Sequence, residues 1–129
     1  MIEIEKVTKN SCTCYYKKGT ETLHREDGPA VTFHGGIVYW YKDGYLHRED
    51  GPAITFPGGS LRWYRYGKLH RIDGPAVVHP DGRSIFYLNG VEFKNKSEFI
   101  KKLTEEFFNS LSDDDKIRLL FSPYFIKSN

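Results

Sequence analysis

The sequence predicts a mainly β fold with C-terminal helices, an α+β arrangement in which an antiparallel meander of 23-residue β-hairpin repeats is capped by a short helical tail. Three observations predict it. The octapeptide Leu23-His24-Arg25-Glu26-Asp27-Gly28-Pro29-Ala30 recurs at 46–53 and at 69–76, with Ile72 replacing the glutamate in the third copy, so each copy begins 23 residues after the last. Each copy is followed by two β-prone runs with glycine-containing turns between and after them. Beyond residue 94 the apolar residues space out to helical intervals. A fixed period of this length marks a repeat array, in which each unit buries its apolar face against its neighbours.

A degenerate copy precedes the first clear one. Tyr15-Tyr16-Lys17-Lys18-Gly19 resembles Trp40-Tyr41-Lys42-Asp43-Gly44, with two extra residues before Leu23. The first β-prone run of each unit is Val31-Thr32-Phe33, Ile54-Thr55-Phe56 or Val77-Val78-His79, and turns follow at Gly35-Gly36, Gly58-Gly59 and Asp81-Gly82. The second run, at 38–41, 61–64 and 85–88, is aromatic and ends in a turn at Asp43-Gly44, Tyr66-Gly67 or Asn89-Gly90. Asp-Gly and Asn-Gly between β-prone runs are strong hairpin signals, because glycine accepts positive φ. Each unit therefore reads as two short antiparallel strands. In the connecting octapeptide, Asp27, Asp50 and Asp73 are expected to accept backbone N–H bonds in an Asx-type turn, and the glycine to supply an unusual dihedral. Pro29, Pro52 and Pro75 should begin a strand or occupy unpaired positions. Residues 91–93 form a final strand where no fourth octapeptide appears.

In the tail, Asn95 precedes Glu98 by three residues in a capping-box-like start, and Phe99, Leu103, Phe107 and Leu111 recur at a four-residue spacing. Ser112 and Asp115 repeat the capping pattern, three aspartates suit the positive end of a helix, and Ile117, Leu120 and Phe121 form an apolar stripe until Pro123 stops it. The expected helices are 97–111 and 113–121, packed on the sheet or its open end. The chain thus divides into a repeat array at 1–94, with repeats near 23–45, 46–68 and 69–91, and a helical cap at 95–129. The cap could also join two copies into a homo-oligomer.

Charge is balanced locally as well as globally: four basic and three acidic residues in 1–22, nine and eight in 23–94, six and six in 95–129. That excludes the concentrated positive field used for non-specific nucleic-acid or anionic-membrane binding. The start of the chain holds no apolar run suited to a signal peptide, and no stretch approaches the ~20 apolar residues of a membrane span. We expect a soluble, cytoplasmic protein. Cys12 and Cys14 are the only cysteines. They are too close in sequence for an unstrained bridge and too few for a zinc set, so they read as two reduced thiols, with a share in a metal site formed with other ligands as the alternative use.

The 23-residue period, and the aromatic, Gly, Lys, x, His order within 64–70, resemble MORN-type repeat proteins over roughly residues 15–93. The usual His-Gly-x-Gly is replaced here by His-Arg-x-Asp-Gly-Pro-Ala, which resembles the Leu-His-Arg-x-Asp-Gly-Pro-Ala variant of small bacterial and phage proteins. The resemblance implies a scaffold that binds proteins; it carries no catalytic residues over to this chain.

His24, His47 and His70 invite a metal hypothesis, but equivalent positions in two-stranded units lie roughly 9–10 Å apart, too far to share one zinc ion. They read as structural residues bonded to a turn or neighbouring strand, alongside Asp27, Asp50 and Asp73. Arg25, Arg48 and Arg71 pair with those aspartates or with carbonyls, or else form a guanidinium row facing phosphates or partner carboxylates. Trp40, Trp63 and Phe86 share one repeat position and Tyr41, Tyr64 and Tyr87 the next, so regular strands would put the two stacks on opposite faces. One set then packs beneath the helices, and the other is left for a partner.

No nucleophile elbow, phosphate loop or metal-binding helix is present, and active sites seldom recur in triplicate along an array, so no enzyme activity, metal or cofactor is expected. The expected function is a non-enzymatic protein–protein interaction module, a phage or bacterial accessory protein that binds and inhibits or scaffolds another protein. It would bind through Trp40, Tyr41, Trp63, Tyr64 and Tyr87 with Arg25, Arg48 and Arg71 at the rim. The alternative is a protein that sequesters a nucleotide or single-stranded nucleic acid between the aromatic and arginine rows.

Overall fold

The computed structural model describes residues 2–126, so Met1 of the expected array and 127–129 of the expected cap lie outside the described residues. Strands β1 (Ile4–Lys9) and β2 (Cys12–Lys17) form an antiparallel hairpin. Unit one contributes β3 (Val31–Phe33) and β4 (Val38–Tyr39), then a side hairpin of β5 (Tyr41–Lys42) and β6 (Tyr45–Leu46). Unit two repeats this with β7 (Ile54–Thr55), β8 (Leu61–Arg62), β9 (Tyr64–Arg65) and β10 (Lys68–Leu69). Unit three supplies β11 (Val77–Val78), β12 (Ser84–Leu88) and β13 (Val91–Phe93). The main sheet has nine antiparallel strands in the order β1-β2-β3-β4-β7-β8-β11-β12-β13, flanked by the two small hairpins.

Units one and two are therefore built from four short segments rather than the two strands expected. The second run leaves the main ladder at its tryptophan, whose N–H and C=O both bond to the next octapeptide: Trp40 N–H donates to the Ala53 carbonyl, and His47 N–H donates to the Trp40 carbonyl. Where no fourth octapeptide follows, β12 runs unbroken through Phe86. The side hairpins turn on Asp43-Gly44 and Tyr66-Gly67, and β12 and β13 turn on Asn89-Gly90, each with both residues at positive φ, the geometry that matches the twist of the flanking strands.

The octapeptide glycines behave differently from expectation. Gly28, Gly51 and Gly74 are absent from the positive-φ positions. What they provide is space: a Cβ on Gly51 would lie 2.9 Å from the guanidinium carbon of Arg48, and the other two copies are as tight. The aspartates also differ. Asp27, Asp50 and Asp73 each accept from the Nε of the arginine two residues earlier.

Ala30, Ala53 and Ala76 are fully buried, and with Val31, Ile54 and Val77 they form the spine of the array. At its C-terminal end the cap closes a second core of Ile72, Phe86, Leu88, Phe99, Leu103 and Leu119. Burying a side chain such as Phe99 or Leu103 contributes about 1.5–3 kcal/mol. Asn95 caps α1 (Lys96–Lys102) by accepting the Glu98 N–H. The single helix expected over 97–111 instead widens at Leu103–Phe107 and tightens at Phe108–Ser110. That re-phases the chain so that both Phe107 and Phe108 pack against the core. Ser112 caps α2 (Asp113–Leu120), and a last short helix, α3 (Pro123–Ile126), begins at the proline that was expected only to end α2.

The stripe expected to hold α2 in place faces outward. Ile117, Leu120 and Phe121 are 55%, 53% and 78% exposed, while Leu119 is buried. The helix attaches through its polar side: Asp115 makes a bidentate bridge to Arg65, Arg118 donates to the Glu49 carbonyl, and the Ser122 hydroxyl beyond its end donates to the Asp73 carbonyl.

Candidate functional site

The strand register sorts the repeated aromatics onto two faces. Cys14, Val31, Tyr39, Ile54, Arg62, Val77 and Ile85 are successive cross-strand partners and form one row across the sheet. The period of two puts Tyr16, Tyr41, Tyr64 and Tyr87 on the same side as that row. Ring centroids of Tyr39 and Tyr41 lie 6.4 Å apart across the bend at Trp40, which keeps both on one face. Tyr41, Tyr64 and Tyr87 are half-buried and recur along this face once per unit. Burial, then neighbouring Tyr39 and Tyr64, pushes the Tyr41 phenol above its ordinary value. Burial and then Glu92, which accepts from its hydroxyl, do the same for Tyr87.

Tyr15, Trp40, Trp63 and Phe86 point to the opposite face, where the helices lie. Three of these rings carry the arginine of the next octapeptide: Arg25 sits 4.0 Å from the Tyr15 centroid, Arg48 3.8 Å from Trp40 and Arg71 3.9 Å from Trp63. Each guanidinium is held between an aromatic ring and a glycine, with Nε on the octapeptide aspartate and Nη1 on the proline carbonyl of Pro29, Pro52 or Pro75. Cation–π stacking and two charge-assisted bonds are thus used within the fold. Phe86, the last ring, is met instead by Phe99 at 4.7 Å.

The three histidines share one geometry. The Nδ1 of His24, His47 and His70 accepts the N–H of Asp43, Tyr66 and Asn89, the first residue of each positive-φ turn. All three are buried, and an accepting Nδ1 puts the proton of the neutral ring on Nε2. Desolvation lowers the His47 pKa, and desolvation with Arg65 beside it lowers that of His70 to about 4. Among the described residues, no three His, Cys, Asp or Glu side chains come together as a metal-holding group. The Cys12 and Cys14 sulfurs lie 3.2 Å apart as free thiols on the tyrosine face.

Sequence reasoning passed over two features, one on each face. Arg62 stands where Tyr39 stands one unit earlier, and its Nε is buried without a hydrogen-bond partner. Its guanidinium lies over the Phe56 ring at 5.5 Å. The only signal was a charged residue in an otherwise apolar strand position. The helical face holds a groove beside each octapeptide, of about 750, 480 and 350 Å³ from first to third. Among the described residues, no helix is long and apolar enough to cross a membrane. Comparison with known proteins gives no matching family model, curated protein or solved structure.

Proposed function

We propose that this chain is a non-enzymatic protein–protein interaction module that binds a protein partner through the tyrosine face of its sheet and inhibits or scaffolds it. The observation that carries this reading is the set Tyr41, Tyr64 and Tyr87, partly exposed on the face away from the helices, with Arg62 on the same face. Tyrosine offers large contact area at low conformational cost, and arginine and tyrosine are the residues most often found at interface hot spots. An aromatic row on a sheet face suits a protein surface that brings a carboxylate or carbonyl to Arg62. The resemblance to MORN-type arrays, and to their variant in small bacterial and phage proteins, supports an accessory role in a bacterial cytoplasm.

On the helical face, Arg25, Arg48 and Arg71 already have two donors engaged, which leaves them poor candidates for gripping phosphate. Nucleotide or single-stranded nucleic-acid sequestration would fall instead to the first groove, where Lys6 stands beside Tyr15, Ile2 and Ile4. A pull-down of tagged protein from bacterial lysate at low and moderate salt, with mass spectrometry of the eluate, separates the two. The expected result is a stoichiometric protein retained at both salts and weakened about 30-fold or more by Tyr41→Ala with Tyr64→Ala, in a variant whose circular dichroism is unchanged. A partner held equally by that variant would rule out the tyrosine face. A nucleotide released on denaturing the bait, with no protein, would favour sequestration.

A further inference from the structure

The second and third grooves on the helical face are copies of one another, and the chain seats its own α2 against the third. In the third, lined by Trp63, Arg65, His70, Ile72, Glu49 and Arg118, α2 lays Asp115 against Arg65, donates from Arg118 to the Glu49 carbonyl, and buries Leu119 in the same cluster as Ile72. Twenty-three residues earlier the same positions line the second groove: Trp40 for Trp63, Lys42 for Arg65, the Glu26 carbonyl for that of Glu49, and the Glu49 carboxylate for Ile72. That groove has a volume of about 480 Å³. Lys42 makes no ion pair among the described residues, whereas Arg65 is bridged to Asp115 and Lys17, one unit earlier still, to Asp43.

Arg118 borders both grooves. Phe121 lies about 60° from Arg118 around the helix, on the side away from Asp115 and Leu119, and is the most exposed large apolar residue described. One unit of the array spans roughly 9–10 Å, close to the 8–10 Å between packed helices. A helix seated one unit earlier would therefore lie alongside α2 at packing distance and cover Phe121.

We propose that the second groove binds a helix of a partner protein bearing the polar pattern of α2. Its aspartate bonds Lys42, its arginine three residues later donates to the Glu26 carbonyl, and a basic residue takes the place of Leu119 to face the Glu49 carboxylate. The octapeptide's single departure from its consensus supports the last point: glutamate becomes Ile72 where Leu119 covers it and remains glutamate where no helix sits. This surface is opposite the tyrosine row, so the fate of one binding site leaves the other to be judged separately.

The test uses the full chain with Trp63→Phe, since Phe86 already occupies that repeat position, leaving Trp40 in the groove as the fluorescent reporter. The probe is a synthetic peptide of residues 111–126 with Leu119→Lys. A saturable change in Trp40 emission is expected, weakened about tenfold by Lys42→Glu on the protein and unchanged by Lys9→Glu. The peptide variant Asp115→Asn, which leaves the protein untouched, should weaken binding to a similar degree. Absence of saturation at millimolar peptide, or binding indifferent to both changes, overturns the proposal. So does self-association of the peptide-free protein that Lys42→Glu abolishes, because the occupant would then be a second copy.

Discussion

Acidification should loosen the fold above the window of the lowered aspartates, and His70 supplies a magnitude. Its Nδ1 accepts the Asn89 N–H at 2.9 Å, so protonation breaks the bond that holds the last hairpin turn and places a charge in a buried site. Two charged groups face it. Arg65 disfavours the imidazolium and Asp115 favours it, and with desolvation leading, the pKa falls from 6.5 to about 4. A depressed histidine pKa means that the unfolded chain binds the proton more readily, so stability is full above pH 6.5 and falls as the pH drops toward the folded value. At about 1.4 kcal/mol per unit, the loss from His70 is about 1.4 kcal/mol at pH 5.5 and about 2.5 kcal/mol at pH 4.5. His47, also depressed, adds in the same direction. Urea unfolding followed by tryptophan emission at pH 7, 5.5 and 4.5 would read this as a falling midpoint at constant slope. The variant His70→Asn, whose Oδ1 takes the place of Nδ1, keeps an acceptor for the Asn89 N–H without a titrating ring, and should remove most of the His70 share. An unaltered pH dependence in that variant would refute the assignment. The carboxylates of Asp43, Asp50, Asp81 and Asp115 are all lowered by cationic or backbone donors, so their contribution disappears in a separate window below about pH 4.

The arginine sandwich predicts that Gly51→Ala costs about 1–3 kcal/mol in urea, because the new Cβ must displace Arg48 from Trp40. Gly58→Ala, with nothing within 4 Å of the added carbon, should change stability by less than about 0.5 kcal/mol. Asp115→Asn should weaken the hold on α2 and cost about 1–3 kcal/mol, seen as faster hydrogen exchange in Asp113–Leu120 with the sheet still protected. Phe99→Ala should cost about 3–5 kcal/mol by uncovering Phe86, with calorimetry as the measure.

The local elements were legible because their chemistry is local. Asp43-Gly44 and Asn89-Gly90 turn where their dihedral preferences demand, Asn95 and Ser112 cap the helices three residues from Glu98 and Asp115, and Phe99 and Leu103 lie on the spacing that buries them. What stayed hidden depended on residues distant in sequence. Gly51 looks like a turn glycine until the Arg48 guanidinium folds back over it. The stripe of Ile117, Leu120 and Phe121 looks like a core face because a helical wheel carries no information about Arg65 or the Glu49 and Asp73 carbonyls, which bind the opposite side. Ile72 was the usable clue, a lone apolar substitution in a charged octapeptide, marking where the cap lands. For the candidate site, the two-residue period separated tyrosines from tryptophans, but only the stacking of Arg48 and Arg71 showed which set was already engaged.

Because each octapeptide grips the ring before it, and the cap grips the last two octapeptides, Arg65 between them and the final strands, the molecule has two fixed ends and a middle of adjustable length. Inserting another 23-residue copy ahead of octapeptide two would present Trp40 with an equivalent arginine from the new copy and leave Phe86 under Phe99. Each added copy would lengthen the sheet by roughly 9–10 Å and add one tyrosine to the exposed row. Such a chain can evolve its reach by duplication alone, as a ruler gains divisions, while the chemistry of each division stays constant.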